Sequence, residues 1–185
     1  MVTDPFATLG FAHQYEIDKS ALDRRYRELQ QALHPDRHAS APASARALTL
    51  NKAVAVNEAY RILRDDLKRG EALLQVLGGQ VTEHTADPEL LMEMMELREA
   101  LTEARAEAAA DEVARLAGVV AKHAEAARSE LTTVFAQLQA VGEGEGEKKA
   151  DALLAHAQQL LGRLRYYHRF HEEVARFEDE ALGQV

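Results

Sequence analysis

The sequence contains no cysteine and no tryptophan, and four of its 185 residues are proline. Without cysteine there are no disulfides, thiolate metal sites or cysteine nucleophiles, which fits the reducing cytoplasm. Aromatic residues make up 5% of the chain, too thin a supply for a β-rich fold, whose strands favour them. No apolar run approaches the roughly 20 residues needed to span a bilayer. The N-terminus has no basic region followed by a long apolar one, so a secretory signal is not expected. An excess of basic charge is missing too: 22 Lys and Arg face 31 Asp and Glu, for a net charge of −9. Wrapping nucleic acid requires a dominant basic surface, so no nucleic-acid partner is expected.

What is present favours helix. Ala, Leu, Glu and Arg abound, and 46% of residues are hydrophobic, enough for a core. The charge is divided unevenly. Residues 1–78 hold 11 basic and 10 acidic side chains, and residues 79–185 hold 11 and 21. The two halves are therefore expected to meet different partners.

Helical punctuation recurs along the chain. In "DPFATLG" Asp4 is a cap, Pro5 suits the first helical position and Gly10 supplies a left-handed stop. A second helix follows the cap Asp18, with Leu22, Tyr26, Leu29 and Leu33 as its apolar stripe. A third begins near Ala43 and buries Ala53, Val56, Tyr60 and Leu63, making an antiparallel pair with the second. A shorter helix ends at Gly78-Gly79, and "QVTEHTADP" reads as a hinge. Beyond it, Asp87 and Pro88 start a helix, and a long one carries Val113, Leu116, Val120, Ala127, Leu131, Val134 and Leu138. After the turn at Gly142–Glu147, a last helix from about Lys148 aligns Leu153, Ala157, Leu160, Leu164, Tyr167 and His171. The expected fold is all-α: a helical hairpin with accessory helices, then an antiparallel three-helix bundle.

"QQALHPDRHASAP", Gln30 to Pro42, breaks this pattern because a helix interior cannot hold Pro35. His34, Pro35 and Asp36 stand at the hairpin tip, where side chains project into solvent. Proline stiffens the turn, so an adjacent carboxylate loses less entropy on docking to a cationic patch. By spacing alone, "HPDR" is equally a polar turn with good stop signals.

The basic second helix, "LHPDR" and a third helix bearing "VNEAYRILRD" together resemble a J domain, the module that stimulates DnaK-type chaperone ATPases. "DPFATLGF", "LKRGEALLQVLGG" and "LLMEMMELREAL" extend the resemblance over nearly the whole chain to the HscB type, J-domain co-chaperones of iron–sulfur cluster assembly. It implies a J domain over 1–79, a linker over 80–86 and a scaffold-binding bundle over 87–185. It implies that His34, Pro35, Asp36 and Arg37 engage the chaperone, HscA in the bacterial system, aided by Lys19, Arg24, Arg25 and Arg27. Arg37 replaces the lysine common after the tripeptide and keeps its charge. The cysteine-rich zinc module of some relatives has no counterpart in a chain without cysteine.

The helix after Asp87 carries a second signal. Leu90, Met94, Leu97 and Leu101 form a core stripe, and about 100° per residue places Met92 nearly opposite it. Leu91 and Met95 fall outside the stripe, while Glu96, Glu99 and Glu103 accompany Met92. Residues 83–112 include ten acids and two arginines. An acid-rimmed Leu and Met strip facing solvent marks a partner site. Leu91, at a marginal angle, equally fits under a neighbouring helix. The resemblance implies that an IscU-type scaffold contacts Leu91, Met92, Met95, Glu96, Glu99, Glu103 and Tyr166, the last replacing a family phenylalanine. Tyr166, Phe170 and Phe177 form a stripe distinct from that of Leu153 to His171.

Other constellations are weaker. Pro35 spoils the helical His34/His38 metal spacing, and "GEGEGE" lacks the lysine of a phosphate loop. His168, His171, Glu172 and Glu173 could form a bundle metal site, but no Glu-x-x-His recurs on the other bundle helices. The expected protein is a non-enzymatic adaptor without cofactor, metal or membrane. The alternatives are a helical-bundle metalloenzyme and a general J protein for unfolded clients.

Overall fold

Residues 4–38, 42–81, 88–141 and 146–182 are described by a computed structural model, and every regular element among them is helical. The helices are α1 (Pro5–Leu9), α2 (Lys19–Ala32), α3 (Ala43–Arg64), α4 (Asp66–Val76), α5 (Pro88–Ala106), α6 (Ala110–Ala140) and α7 (Glu147–Leu182). A 3-10 turn at Pro35–His38 joins α2 to α3. The chain divides into two units, Met1–Gln80 and Val81–Val185. Asp87 and the glycine-rich stretch 142–145 lie outside the described residues, as does most of the expected linker.

In the first unit the local signals act as the sequence predicts. The Asp4 carboxylate accepts from the Phe6 and Ala7 amides at 2.9 and 3.2 Å, and Gly10 closes α1 at φ 75°. Such a cap is worth about 1 kcal/mol. Phe6 and Leu9 are thereby held against α3, completely buried. Asp18 caps α2 through Ser20, and Asp65 caps α4 through Lys68.

Helices α2 and α3 run antiparallel. Asp23 accepts from the Tyr60 hydroxyl at 2.7 Å, and one turn on the Tyr26 hydroxyl donates to Asn57 at 3.1 Å. Between these bonds the Tyr26 and Tyr60 rings stack with centroids 3.9 Å apart. The expected apolar stripe is thus buried fully at Leu22, Val56 and Leu63. Tyr26 and Tyr60 are half-buried, so their polar ends stay paired near the surface.

The second unit is an up-down-up bundle. Glu130–His156 and His123–Tyr167 pair α6 with α7 in antiparallel register. Arg98 meets Glu173 and Arg105 lies over the Phe177 ring, so α5 and α7 run parallel. The α6 stripe is buried from Val113 to Val134, with Leu138 half-buried near its end. On α7 the sequence reading needs a correction. Phe170 is completely buried and Val174 nearly so, whereas His171 is only half-buried. The side of α7 facing the core therefore includes Phe170, from the second stripe, on which Tyr166 and Phe177 are half-buried. A wide helix in a bundle meets two neighbours, α5 and α6, and so buries two adjacent rows.

Burial holds the His171 imidazole below its ordinary pKa, and Arg128 and His168 push it the same way. The folded unit prefers the neutral ring, while the unfolded chain binds the proton more readily. Stability is full above the ordinary histidine pKa, near 6.5, and declines as pH falls through it. His171→Gln should therefore show a smaller drop in melting temperature than the parent between about pH 8 and about pH 5.5. Calorimetric melts across that range provide the check, and parallel curves would assign the acid sensitivity elsewhere.

Candidate functional site

At the hairpin tip, the residue before a proline is biased away from helix. Accordingly α2 ends at Ala32, with the Leu33 amide donating back to the Leu29 carbonyl at 3.0 Å. The chain then tightens into a single 3-10 turn, closed by the Arg37 amide on the His34 carbonyl at 3.1 Å. His34 Nδ1 accepts from the Asp36 amide at 3.3 Å. A neutral ring in that bond carries its proton on Nε2, the nitrogen away from the backbone.

The Asp36 carboxylate lies 3.6 Å from the same ring, and its side chain is 91% exposed against 58% for His34. An exposed pair at that distance contributes little to folding. Its atoms remain available to another molecule. Arg37 leans back on the Gln31 carbonyl at 3.4 Å and stays exposed.

The basic residues of α2 divide into two kinds. Lys19, Arg24, Arg25 and Arg27 are all exposed, and they differ in what they bond. Arg25 is turned partly inward, its Nε donating to the Leu9 carbonyl at 3.1 Å and its Nη1 to Glu28 at 3.4 Å. It fastens α2 to α1 as well as adding charge.

Helix α5 forms the second surface. Leu90, Met94, Leu101 and Ala104 are buried against α6 and α7. Met92 and Met95 are 63% and 70% exposed, and Glu96, Glu99 and Glu103 are exposed with them. Leu91, for which the sequence left two readings, is 36% exposed, less open than Met92 and Met95 but not buried. Tyr166 is half-buried with Arg169 over its ring. Tyr166 and Leu91 each stand seven residues before the Arg98–Glu173 pair, which in parallel helices puts them at one level. Leu91, Met92 and Met95 thus lie in the N-terminal half of α5, with Tyr166 on α7 at the level of Leu91.

The metal reading loses its ligand geometry. Glu173 is engaged by Arg98 in a two-point bond at 2.9 and 3.3 Å, and His168 approaches Glu172 at 3.8 Å. Among the described residues no group of three or more His, Asp or Glu could hold a metal ion. The His38 side chain lies outside the described residues. Among the described residues, too, no helix is long and apolar enough to cross a membrane.

Two features went unread in the sequence. Arg69 is buried, which its place beside the exposed Lys68 in "LKRG" does not announce. A groove between α2 and α3 ends at His34, and its walls mix polar residues with Leu33, Ala53 and Val56 of the two apolar stripes.

Known proteins share this arrangement. Residues 4–71 match the DnaJ domain family, and residues 86–175 match the family described as the HSCB C-terminal oligomerisation domain. The chain is 33% identical over 180 residues to the co-chaperone protein HscB homolog of Shewanella baltica, covering 96% of this chain and 98% of that one. The corresponding Vibrio cholerae protein is 35% identical over 181 residues with the same coverage. The solved structure of chaperone HscB from Vibrio cholerae superimposes with a TM-score of 0.77 at 31% identity, covering 96% and 99% of the two chains. Human co-chaperone protein HscB shares the fold at a TM-score of 0.79 and 24% identity, covering 96% and 83%. A J-domain family match over the first unit, an HSCB C-terminal match over the second and full-length relatives above 30% identity together show that this chain belongs to the HscB family of J-domain co-chaperones.

Proposed function

We propose that this protein is a non-enzymatic adaptor of iron–sulfur cluster assembly in the cytoplasm. Residues 1–79 dock on a DnaK-type, HscA-like chaperone and stimulate its ATPase. Residues 87–185 hold an IscU-like scaffold protein for delivery to it. His34, Pro35, Asp36 and Arg37 engage the chaperone, with Lys19, Arg24, Arg27 and the solvent-facing part of Arg25 attracting it. Such attraction raises the rate of encounter more than the final affinity. Leu91, Met92, Met95, Glu96, Glu99, Glu103 and Tyr166 contact the scaffold.

The observation that carries this reading is the exposure of Asp36 beside His34 at the tip, where neither side chain is packed into the core. Hydrolysis belongs to the chaperone. The adaptor changes its rate only by binding one chaperone state better than another. Adding the protein to the chaperone with ATP should raise turnover, further when scaffold is present, and a flat rate would defeat the proposal.

The cargo face has its own test. Met92→Ala combined with Glu99→Ala removes an apolar anchor and a charge from an exposed helix face, where folding is little affected. Calorimetric titration with the scaffold should show binding weakened at least about tenfold, roughly 1.4 kcal/mol. Chaperone stimulation without scaffold should persist. Unchanged affinity would move the scaffold site off α5.

A further inference from the structure

With no cysteine in the chain, its only sulfur atoms are the thioethers of four methionines, Met1, Met92, Met94 and Met95. Three of them lie between residues 92 and 95 on α5. There they divide by exposure: Met92 and Met95 are 63% and 70% exposed, and Met94 between them is 1% exposed. At about 100° per residue Met94 points roughly 160° from Met92 and 100° from Met95, into the core with Leu90 and Leu101. Oxidation of a thioether follows its access to solvent. Two open sulfurs and one protected sulfur therefore stand side by side on a single helix.

The surroundings favour an uncharged oxidant. Helix α5 carries Glu89, Glu93, Glu96, Glu99 and Glu103 against Arg98 and Arg105. Glu96, Glu99 and Glu103 are exposed on the side of Met92. Such a field repels anionic oxidants and leaves neutral hydrogen peroxide free to approach. A thioether lone pair attacks one peroxide oxygen, so that an S–O bond forms as the O–O bond breaks. The second oxygen leaves as water with both protons, sulfur being oxidised and the peroxide reduced by two electrons. The sulfoxide is polar, and its new acceptor oxygen would be left unpaired in an apolar contact. A methionine sulfoxide reductase reverses the step with a dithiol, which becomes a disulfide while the oxygen departs as water.

We propose that Met92 and Met95 form a reversible peroxide-modification site, and that their oxidation releases the scaffold protein from α5. The chemistry at sulfur depends on exposure alone, and its consequence rests on the scaffold reading given above. Leu91, Met92 and Met95 are the large apolar side chains exposed on α5. Two sulfoxides leave only Leu91 of that set apolar.

The test treats the full chain with hydrogen peroxide and removes the peroxide before each measurement. Peptide mass spectrometry should find Met92 and Met95 oxidised at least about tenfold faster than Met94. Calorimetric titration with the scaffold should then show binding weakened at least about tenfold, at an unchanged melting temperature. The reductase with dithiothreitol should restore the affinity. Whatever its own starting affinity, Met92→Leu with Met95→Leu should lose none of it to peroxide, because leucine supplies an apolar side chain without sulfur. Oxidation of Met94 as fast as its neighbours, a melting temperature that falls with the affinity, or an equal loss in the leucine variant would overturn the proposal. If the sulfoxides leave affinity unchanged while Met92→Ala with Glu99→Ala weakens it, the proposal falls and the scaffold reading stands. If neither change weakens binding, both fall.

Discussion

His34→Gln and Asp36→Asn are each expected to abolish stimulation of the chaperone ATPase while leaving the melting temperature of the protein unchanged. The second half of that expectation follows from solvent exposure. His34 and Asp36 are 58% and 91% exposed and their mutual contact is 3.6 Å long, so their replacement should alter stability by less than about 0.5 kcal/mol. The first half follows from what a partner would encounter. The 3-10 turn beginning at Pro35 fixes the backbone, and little entropy is lost when the tip is gripped. Asn in place of Asp36 keeps shape and removes charge, so its failure would identify the chaperone contact as cationic. Gln in place of His34 still offers a polar amide but lacks the ring that accepts the Asp36 amide at Nδ1. Stimulation by the parent should weaken with added salt if the α2 cations steer the encounter. A folded variant that stimulates normally would remove the tip from the mechanism.

The boundaries of α1, α2 and α3 were legible because their signals are local. Asp4, Gly10, Asp18 and Pro35 act through their own backbone and through amides two or three residues away. The exposure of Met92 was legible for a similar reason, since a helical wheel needs only the 3.6-residue repeat. The fuller burial of Phe170 than of His171 was not legible because α7 packs against two helices, and one wheel cannot say how wide a face two neighbours will cover. The Tyr26–Tyr60 stack was read as plain core, since its surface bonds to Asn57 and Asp23 depend on α2 and α3 meeting in one register. The groove beside His34 has the same origin. Its walls lie 19 to 30 residues apart in the chain, and no periodicity records which residues will face each other across a hairpin. Arg98–Glu173 is longer-range still, joining residues at opposite ends of the bundle sequence. These are properties of packing, whereas caps and stripes are properties of the chain.

Replacing Arg69 by methionine should unfold the first unit at a markedly lower temperature, the largest stability effect expected in this protein. Arg69 is 5% exposed, and three segments converge on its guanidinium. Nε donates to the Tyr15 carbonyl at 2.7 Å, Nη1 to the Leu63 carbonyl at 2.7 Å, and Nη2 to Asp66 at 2.8 Å. Its cation also lies 5.1 Å above the Tyr15 ring. The segment after α1, the end of α3 and the start of α4 are thus joined at one planar fork, a geometry that lysine cannot reproduce. Methionine fills similar volume but removes these donors from two carbonyls and from Asp66. Breaking such a buried pair costs about 3–5 kcal/mol. For a unit of this size that corresponds to a fall of at least about 12 °C. Hydrogen exchange should lose protection within residues 4–80, and stimulation should fail together with folding, unlike the tip variants. An unchanged melt would mean that water or shifted backbone replaces all three bonds, and that α1, α3 and α4 are held together by their apolar contacts alone.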